Sequence, residues 1–163
     1  MSQPGHDLSH IRYEGAEDHR DDMVAIVASK WNAEVTDALT DGAKQTLLAA
    51  GVPEKNVLVY RVPGSYELPS AAQFVIEGNP GLDAVICLGC VVQGETKHFD
   101  FINQAVAQGV KDVSLKYNLP VIFGVLTPDT MQQALDRAGG RLGNKGEEAA
   151  VAALEMIDLQ RSF

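Results

Sequence analysis

A layered α/β domain is predicted by two features of this chain. Four apolar runs recur along it: MVAIVASK (23–30), NVLVYRV (56–62), DAVICLGCVV (83–92) and PVIFGVL (120–126), and stretches with helical spacing of apolar residues separate them. The runs are apolar nearly throughout rather than alternating, which implies burial on both faces and therefore a parallel sheet covered by helices on each side. Together these features predict a three-layer, flavodoxin-like α/β sandwich around a four-stranded parallel sheet.

Residues 1–22 hold six acidic residues against two arginines and little apolar periodicity, which predicts a flexible acidic arm ahead of a single domain over 23–163. His6, His10 and His19 lack cysteines or fixed ligand spacing and read as a solvated tail. Only IRYEG (11–15) has the composition of a short strand, able to extend a sheet edge in a neighbouring copy. The first strand leads to a helix from about Ala33 to Ala50, with Val35, Ala38, Leu39, Leu47 and Ala50 on one stripe and Gly51 closing it. After the second strand, Pro63 and Gly64 break the chain and ELPSAAQFVIEGN (67–79) forms a shorter helix. The third strand precedes a long helix with Phe99, Ile102, Val106, Val110 and Val113 at spacings of three to four. Two helices follow the fourth strand, TMQQALDRAG and KGEEAAVAALEMIDL, with a glycine-rich linker between them.

At 163 residues and 45% apolar content the chain can bury the core of one domain. A net charge of −9 excludes a phosphate-neutralising nucleic-acid surface, and no apolar stretch approaches the roughly 20 residues a membrane helix needs, so a cytoplasmic protein with neither partner is expected. Cys87 and Cys90 form a C-x-x-C, but in mid-strand residues three apart face opposite sides, roughly 10 Å apart along the strand, so two structural thiols are expected instead of a redox or zinc site.

Right-handed crossovers place ligand sites at the carboxyl ends of the strands, and four segments leave those ends: SKWN (29–32), VPGSYELP (62–69), VVQGETKH (91–98) and VLTPD (125–129). Trp31, the only tryptophan, reads either as a core aromatic or as a flat surface for a ring to stack on. Ser65 and Glu67 offer a hydroxyl and a carboxylate to a polyol, or alternatively serve as helix cap and first-turn acid. Gly94, Glu95 and Thr96 precede a long helix, whose N–H groups and dipole suit an anion; without the P-loop lysine or G-x-G-x-x-G, a small phosphorylated molecule is expected. His98 lies beside that position and can exchange protons at neutral pH. Arg137, Arg141 and Lys145 gather in ALDRAGGRLGNKG, where a guanidinium fork suits a phosphate.

These segments resemble the lumazine synthase family, the 6,7-dimethyl-8-ribityllumazine synthases of riboflavin biosynthesis. Five ordered blocks carry the resemblance: W-N, V-P-G-S-Y-E-L-P, L-G-C-V-V-Q-G-E-T-K-H-F-D, V-I-F-G-V-L-T and A-L-D-R-A-G-x-x-x-G-N-K-G. It implies a cofactor-free and metal-free condensing enzyme that joins 5-amino-6-(D-ribitylamino)uracil to 3,4-dihydroxy-2-butanone 4-phosphate. By the same resemblance Trp31 would stack on the heterocycle, while Asn32, Ser65 and Glu67 would meet the ribityl chain and nearby polar groups. Tyr66 adds a hydroxyl within that segment, and the Val91–Val92 backbone would face the pyrimidine edge. Gly94, Glu95, Thr96 and Arg137 would hold the phosphate, and His98 would transfer protons. Members have sites between adjacent subunits, so Phe123 and Lys145 would reach a neighbour's pocket in a homo-oligomer, either a pentamer or a sixty-subunit shell. A riboflavin synthase is the implied protein partner. Two other readings remain at this stage, a non-catalytic flavin or lumazine binder and a shell protein.

Overall fold

The structure, a computed structural model, describes residues 11–163. Four strands, β1 (Val24–Ser29), β2 (Val57–Val62), β3 (Ala84–Cys90) and β4 (Val121–Leu126), form one sheet in the order β2-β1-β3-β4. All its pairings are parallel, with Val24 opposite Val57 on one side and Ala84 on the other, and Val85 opposite Val121. Every residue of β1 and β3 is buried, as their unbroken apolar character requires. On the edge strand β2, Val59 and Tyr60 stay exposed.

Helices α1 (Ala33–Ala49), α2 (Leu68–Gly78), α3 (His98–Tyr117), α4 (Met131–Asp136) and α5 (Lys145–Arg161) supply the outer layers. One sheet face, with Ile26, Ala28, Ile86 and Leu88, packs on Leu39 and Leu47 of α1 and Leu154 of α5. The other face, with Ala25, Val27 and Val85, packs on Leu68 and Ala72 of α2 and Val106 and Val110 of α3. Full burial of a leucine such as Leu39 stabilises by about 1.5–3 kcal/mol. α1 and α5 approach so closely that a Cβ on Gly146 would lie 1.9 Å from the Leu39 carbonyl oxygen. Asn144 locks this contact, donating from Nδ2 to the Ala38 carbonyl at 3.0 Å while its Oδ1 caps α5 through the Gly146 N–H at 2.8 Å.

The two cysteines divide between the faces as their spacing predicts, Cys90 toward α1 and α5 and Cys87 toward α2 and α3, and both are free thiols. Burial pushes the Cys87 thiol up to about 12 and Cys90 up to about 11. Neither is a ready nucleophile at neutral pH.

Three details depart from the sequence reading. The second helix begins one residue later than expected, because Ser65–Glu67 form a separate 3₁₀ turn. The glycine-rich linker is a small antiparallel hairpin, β5 (Ala138–Gly140) and β6 (Gly143–Asn144), with Gly139 and Gly143 at positive φ. His19 is fully buried rather than solvated, its Nδ1 2.6 Å from Asp22 Oδ2 and its ring edge-on to Tyr13. Tyr13 and Asp22 in turn bond Asp158 and Arg161 of α5. His6 and His10 lie outside the described residues, and IRYEG forms no strand within this chain. Among the described residues no helix is long and apolar enough to cross a membrane.

Candidate active site

The strand order has one reversal. The chain steps outward from β1 to β2, then crosses back past β1 to β3, so the carboxyl ends of β1 and β3 flank a crevice where helices diverge to opposite faces. A cavity of about 510 Å³ opens there.

From β1 come Trp31 and Asn32. The backbone at Asn32 is left-handed, with φ 55° and ψ 52°, a conformation that asparagine tolerates better than most residues. Its Nδ2 donates to the Cys90 carbonyl at 2.9 Å, tying the exits of β1 and β3 together, while its own carbonyl accepts from Val35 and Thr36 at the start of α1. This turn throws Trp31 outward, where it is 72% exposed and lines the cavity. The core-aromatic reading of Trp31 therefore falls.

From β2 come Gly64, Ser65, Tyr66 and Glu67. The Glu67 carboxylate accepts from the Gly64 N–H at 2.9 Å, so the acid does cap its turn, and it also borders the cavity. A Cβ on Gly64 would lie 3.4 Å from Trp31 Cδ1, which places the indole edge against this backbone. Ser65 is 6% exposed, and its hydroxyl has no hydrogen-bond partner among the described residues.

From β3 come Cys90, Val91 and Val92, and from the start of α3 come His98 and Ile102. Val91 and Gln93 continue the sheet beyond the strand, donating to the Leu126 and Pro128 carbonyls at 2.9 Å each. Gly94, Glu95, Thr96 and Lys97 then form an exposed loop into the 20-residue helix α3, whose first residue is His98. Thr96 Oγ1 accepts from the His98 N–H at 3.3 Å, fixing the histidine's backbone at the helix start.

The sequence-predicted residues thus separate into groups. Trp31, Asn32, Ser65, Tyr66, Glu67, Val91, Val92 and His98 share one cavity; Gly94, Glu95 and Thr96 form the loop leading to it. Phe123, Arg137 and Lys145 do not line it. Phe123 is half-buried on the sheet-edge strand β4 and packs toward the α2 and α3 layer. Arg137 donates to the Leu142 carbonyl at 2.6 Å and to Glu148, and Lys145 Nζ lies 3.1 Å from the same carboxylate, so the two cations flanking the hairpin share one acid. Arg141 pairs instead with Asp136 at 2.9 Å. Three wall residues had no functional reading in the sequence: Gly64, Cys90 and Ile102. Ile102 follows His98 by four residues, one helical turn, and that spacing is the signal that could have found it.

Chemically the cavity offers an aromatic plane, a buried unpartnered hydroxyl, a carboxylate, strand-exit backbone and an imidazole at a helix N-terminus. That combination suits a flat polar heterocycle carrying a hydroxylated chain, with an anion held near the helix start. Among the described residues no group of three or more His, Cys, Asp or Glu side chains is placed to hold a metal ion.

Comparison with known proteins agrees with this chemistry. Residues 22–161 match the 6,7-dimethyl-8-ribityllumazine synthase family. The 6,7-dimethyl-8-ribityllumazine synthase of Cytophaga hutchinsonii is 55% identical over 135 residues, 83% of this chain and 84% of the relative. That of Parabacteroides distasonis is 47% identical over 158 residues, 97% and 98% of the two chains, and that of Porphyromonas gingivalis 47% over 161 residues, 99% of each. With its sheet order, strand-end cavity and nearly full-length similarity, the chain belongs to the 6,7-dimethyl-8-ribityllumazine synthase family.

Proposed function

We propose that the cavity at the ends of β1, β2 and β3 is where this chain condenses 5-amino-6-(D-ribitylamino)uracil with 3,4-dihydroxy-2-butanone 4-phosphate to 6,7-dimethyl-8-ribityllumazine, the penultimate step of riboflavin biosynthesis, in the cytoplasm. The observation that carries this reading is the meeting of Trp31, Ser65, Glu67 and His98 around one opening in a chain of this family. The pyrimidine stacks on the indole of Trp31 with its edge toward the backbone of Val91 and Val92. Its ribityl hydroxyls meet Asn32, Ser65 and Glu67, and Tyr66 closes the rim. The phosphate of the second substrate sits at the loop of Gly94, Glu95 and Thr96, where the α3 dipole favours negative charge.

The chemistry asks for little beyond placement. The pyrimidine amine attacks the ketone carbon and loses water as an imine forms; loss of the proton from the adjacent carbon then breaks the phosphoester C–O bond and releases phosphate. The resulting enol becomes a ketone, and the ribityl-bearing nitrogen attacks it and loses a second water to close the ring. Holding both reactants in register supplies most of the acceleration as avoided entropy loss. His98 moves protons during imine formation and phosphate elimination, an acid–base contribution of roughly 10²–10⁴-fold.

Arg137, Lys145 and Phe123 complete the site from an adjacent subunit. Supporting this division, they stand apart from the cavity of their own chain, with Phe123 on the outer strand of the sheet. The assembly is a pentamer or a sixty-subunit shell of such pentamers, with residues 11–15 adding to a neighbour's sheet edge. Light scattering separates these: about 90 kDa, five times the 17.5 kDa chain, marks the lone pentamer, and a mass in the megadalton range marks the shell. Association with a riboflavin synthase is tested by co-purification of its activity. The reaction itself is tested by incubating the purified chain with the two substrates and watching lumazine fluorescence; no product at high enzyme concentration rejects the reading.

A further inference from the structure

Gly89 is the sixth residue of β3, buried among four-stranded ladder contacts opposite Val125 of β4. Its φ lies outside the left-handed region, so the backbone does not call for glycine there. What the missing side chain leaves is space. A Cβ at this position would stand 2.4 Å from Ser65 Oγ and 3.3 Å from both Ser65 Cβ and Leu68 Cδ1. The first distance is far inside van der Waals contact, so the two cannot coexist with the hydroxyl where it is.

Ser65 cannot easily withdraw to make room. Its turn is pinned by the Gly64 N–H on the Glu67 carboxylate and by the Leu68 N–H on the Ser65 carbonyl, and Leu68 behind it is fully buried. Only rotation of the hydroxyl about its own Cα–Cβ bond would relieve the overlap, and that changes its aim. The hydroxyl is also buried, lines the cavity and has no hydrogen-bond partner among the described residues. A buried hydroxyl without a partner is disfavoured until a ligand supplies the hydrogen bond.

We propose that Gly89 is a positioning residue: the space above its backbone holds the Ser65 hydroxyl in the cavity wall at the angle that meets the ribityl-bearing pyrimidine. This rests on the reading of the cavity as the pyrimidine site. The predicted consequence is that a methyl group at residue 89 weakens substrate binding through Ser65, while its closer packing on Leu68 bears on stability only.

The test compares wild type with Gly89→Ala, Ser65→Ala and the double variant, all as the full assembled chain. Two quantities are read, the equilibrium affinity for 5-amino-6-(D-ribitylamino)uracil and the thermal unfolding midpoint. Ser65→Ala weakens binding by about tenfold, the worth of roughly one hydrogen bond, Gly89→Ala weakens it equally, and the double variant loses no more than Ser65→Ala. The midpoint of Gly89→Ala falls, and the double variant regains part of it because the overlapping oxygen is gone. Weakened binding in Ser65→Ala with wild-type binding in Gly89→Ala overturns the role of Gly89 and leaves the pyrimidine site standing. Wild-type binding in Ser65→Ala overturns the assignment of its hydroxyl to the substrate, and the inference with it. Independent, multiplying losses in the double variant, or a double variant no more stable than Gly89→Ala, also overturn it.

Discussion

Asn32 carries two structural duties whose energies can be separated by substitution. Replacing it by alanine removes the Nδ2 hydrogen bond to the Cys90 carbonyl, about 1 kcal/mol, and leaves a Cβ residue in the left-handed region without a polar side chain to compensate, about 1 kcal/mol more. Asn32→Ala is therefore predicted to destabilise by about 2 kcal/mol. Asn32→Gly loses the same hydrogen bond but adopts φ 55° without strain, so despite a larger unfolded-state entropy it should cost only about 1 kcal/mol. The assay is urea unfolding at one fixed protein concentration, comparing midpoints at a common slope. For a chain of this size the alanine variant should also melt about 4–8 °C lower. An alanine variant within 0.5 kcal/mol of wild type, or a glycine variant less stable than the alanine one, would refute the reasoning.

The remaining predictions concern chemistry and pH. His98→Ala should leave a slow but active enzyme, reduced by roughly 10²–10⁴-fold in lumazine formation; loss as complete as that of Arg137→Ala contradicts the division between placement and proton transfer. Neither Cys87 nor Cys90 should react with a disulfide reagent at pH 8 until the protein is unfolded, since burial raises both thiols to about 12 and about 11. Because the folded pKa lies above the unfolded one, their stability contribution is complete below about pH 9 and is lost as pH rises through 11 to 12. The Tyr13 phenol, raised to about 12 by burial and by its bond to Asp158, behaves likewise from about pH 10 upward. Tyr13→Phe should therefore flatten part of the alkaline stability loss; an unchanged alkaline profile would show that this contact does not anchor the segment.

Where the sequence was legible, the reason is that one physical requirement dominated. β1 and β3 must be apolar along their whole length to be buried on both faces, and this alone gave the parallel sheet and the opposite facing of Cys87 and Cys90. Trp31 and His98 stood out because a strand exit and a helix start have no structural need for an indole or an imidazole. Glu67 was ambiguous for a sound reason, since one carboxylate both caps its turn and borders the cavity. Burial of His19 was not legible, because its near-sequence partners Asp22 and Tyr13 are themselves held by Arg161 and Asp158 of α5, more than a hundred residues away. The β5–β6 hairpin escaped notice for another reason: its glycines have low strand propensity and report only their positive φ. Tertiary placement also governs Arg137 and Lys145, whose motif is plain in sequence while their distance from the cavity is not.

The central claim, that the β1–β3 crevice receives the pyrimidine, is tested most directly by the fluorescence of Trp31. It is the only tryptophan in the chain, exposed in the free protein and lining the cavity, so its emission reports this site alone. Titration with 5-amino-6-(D-ribitylamino)uracil should quench that emission saturably, whereas inorganic phosphate, proposed to sit at the α3 loop, should leave it nearly unchanged. Emission unaffected at pyrimidine concentrations that saturate turnover would contradict the account.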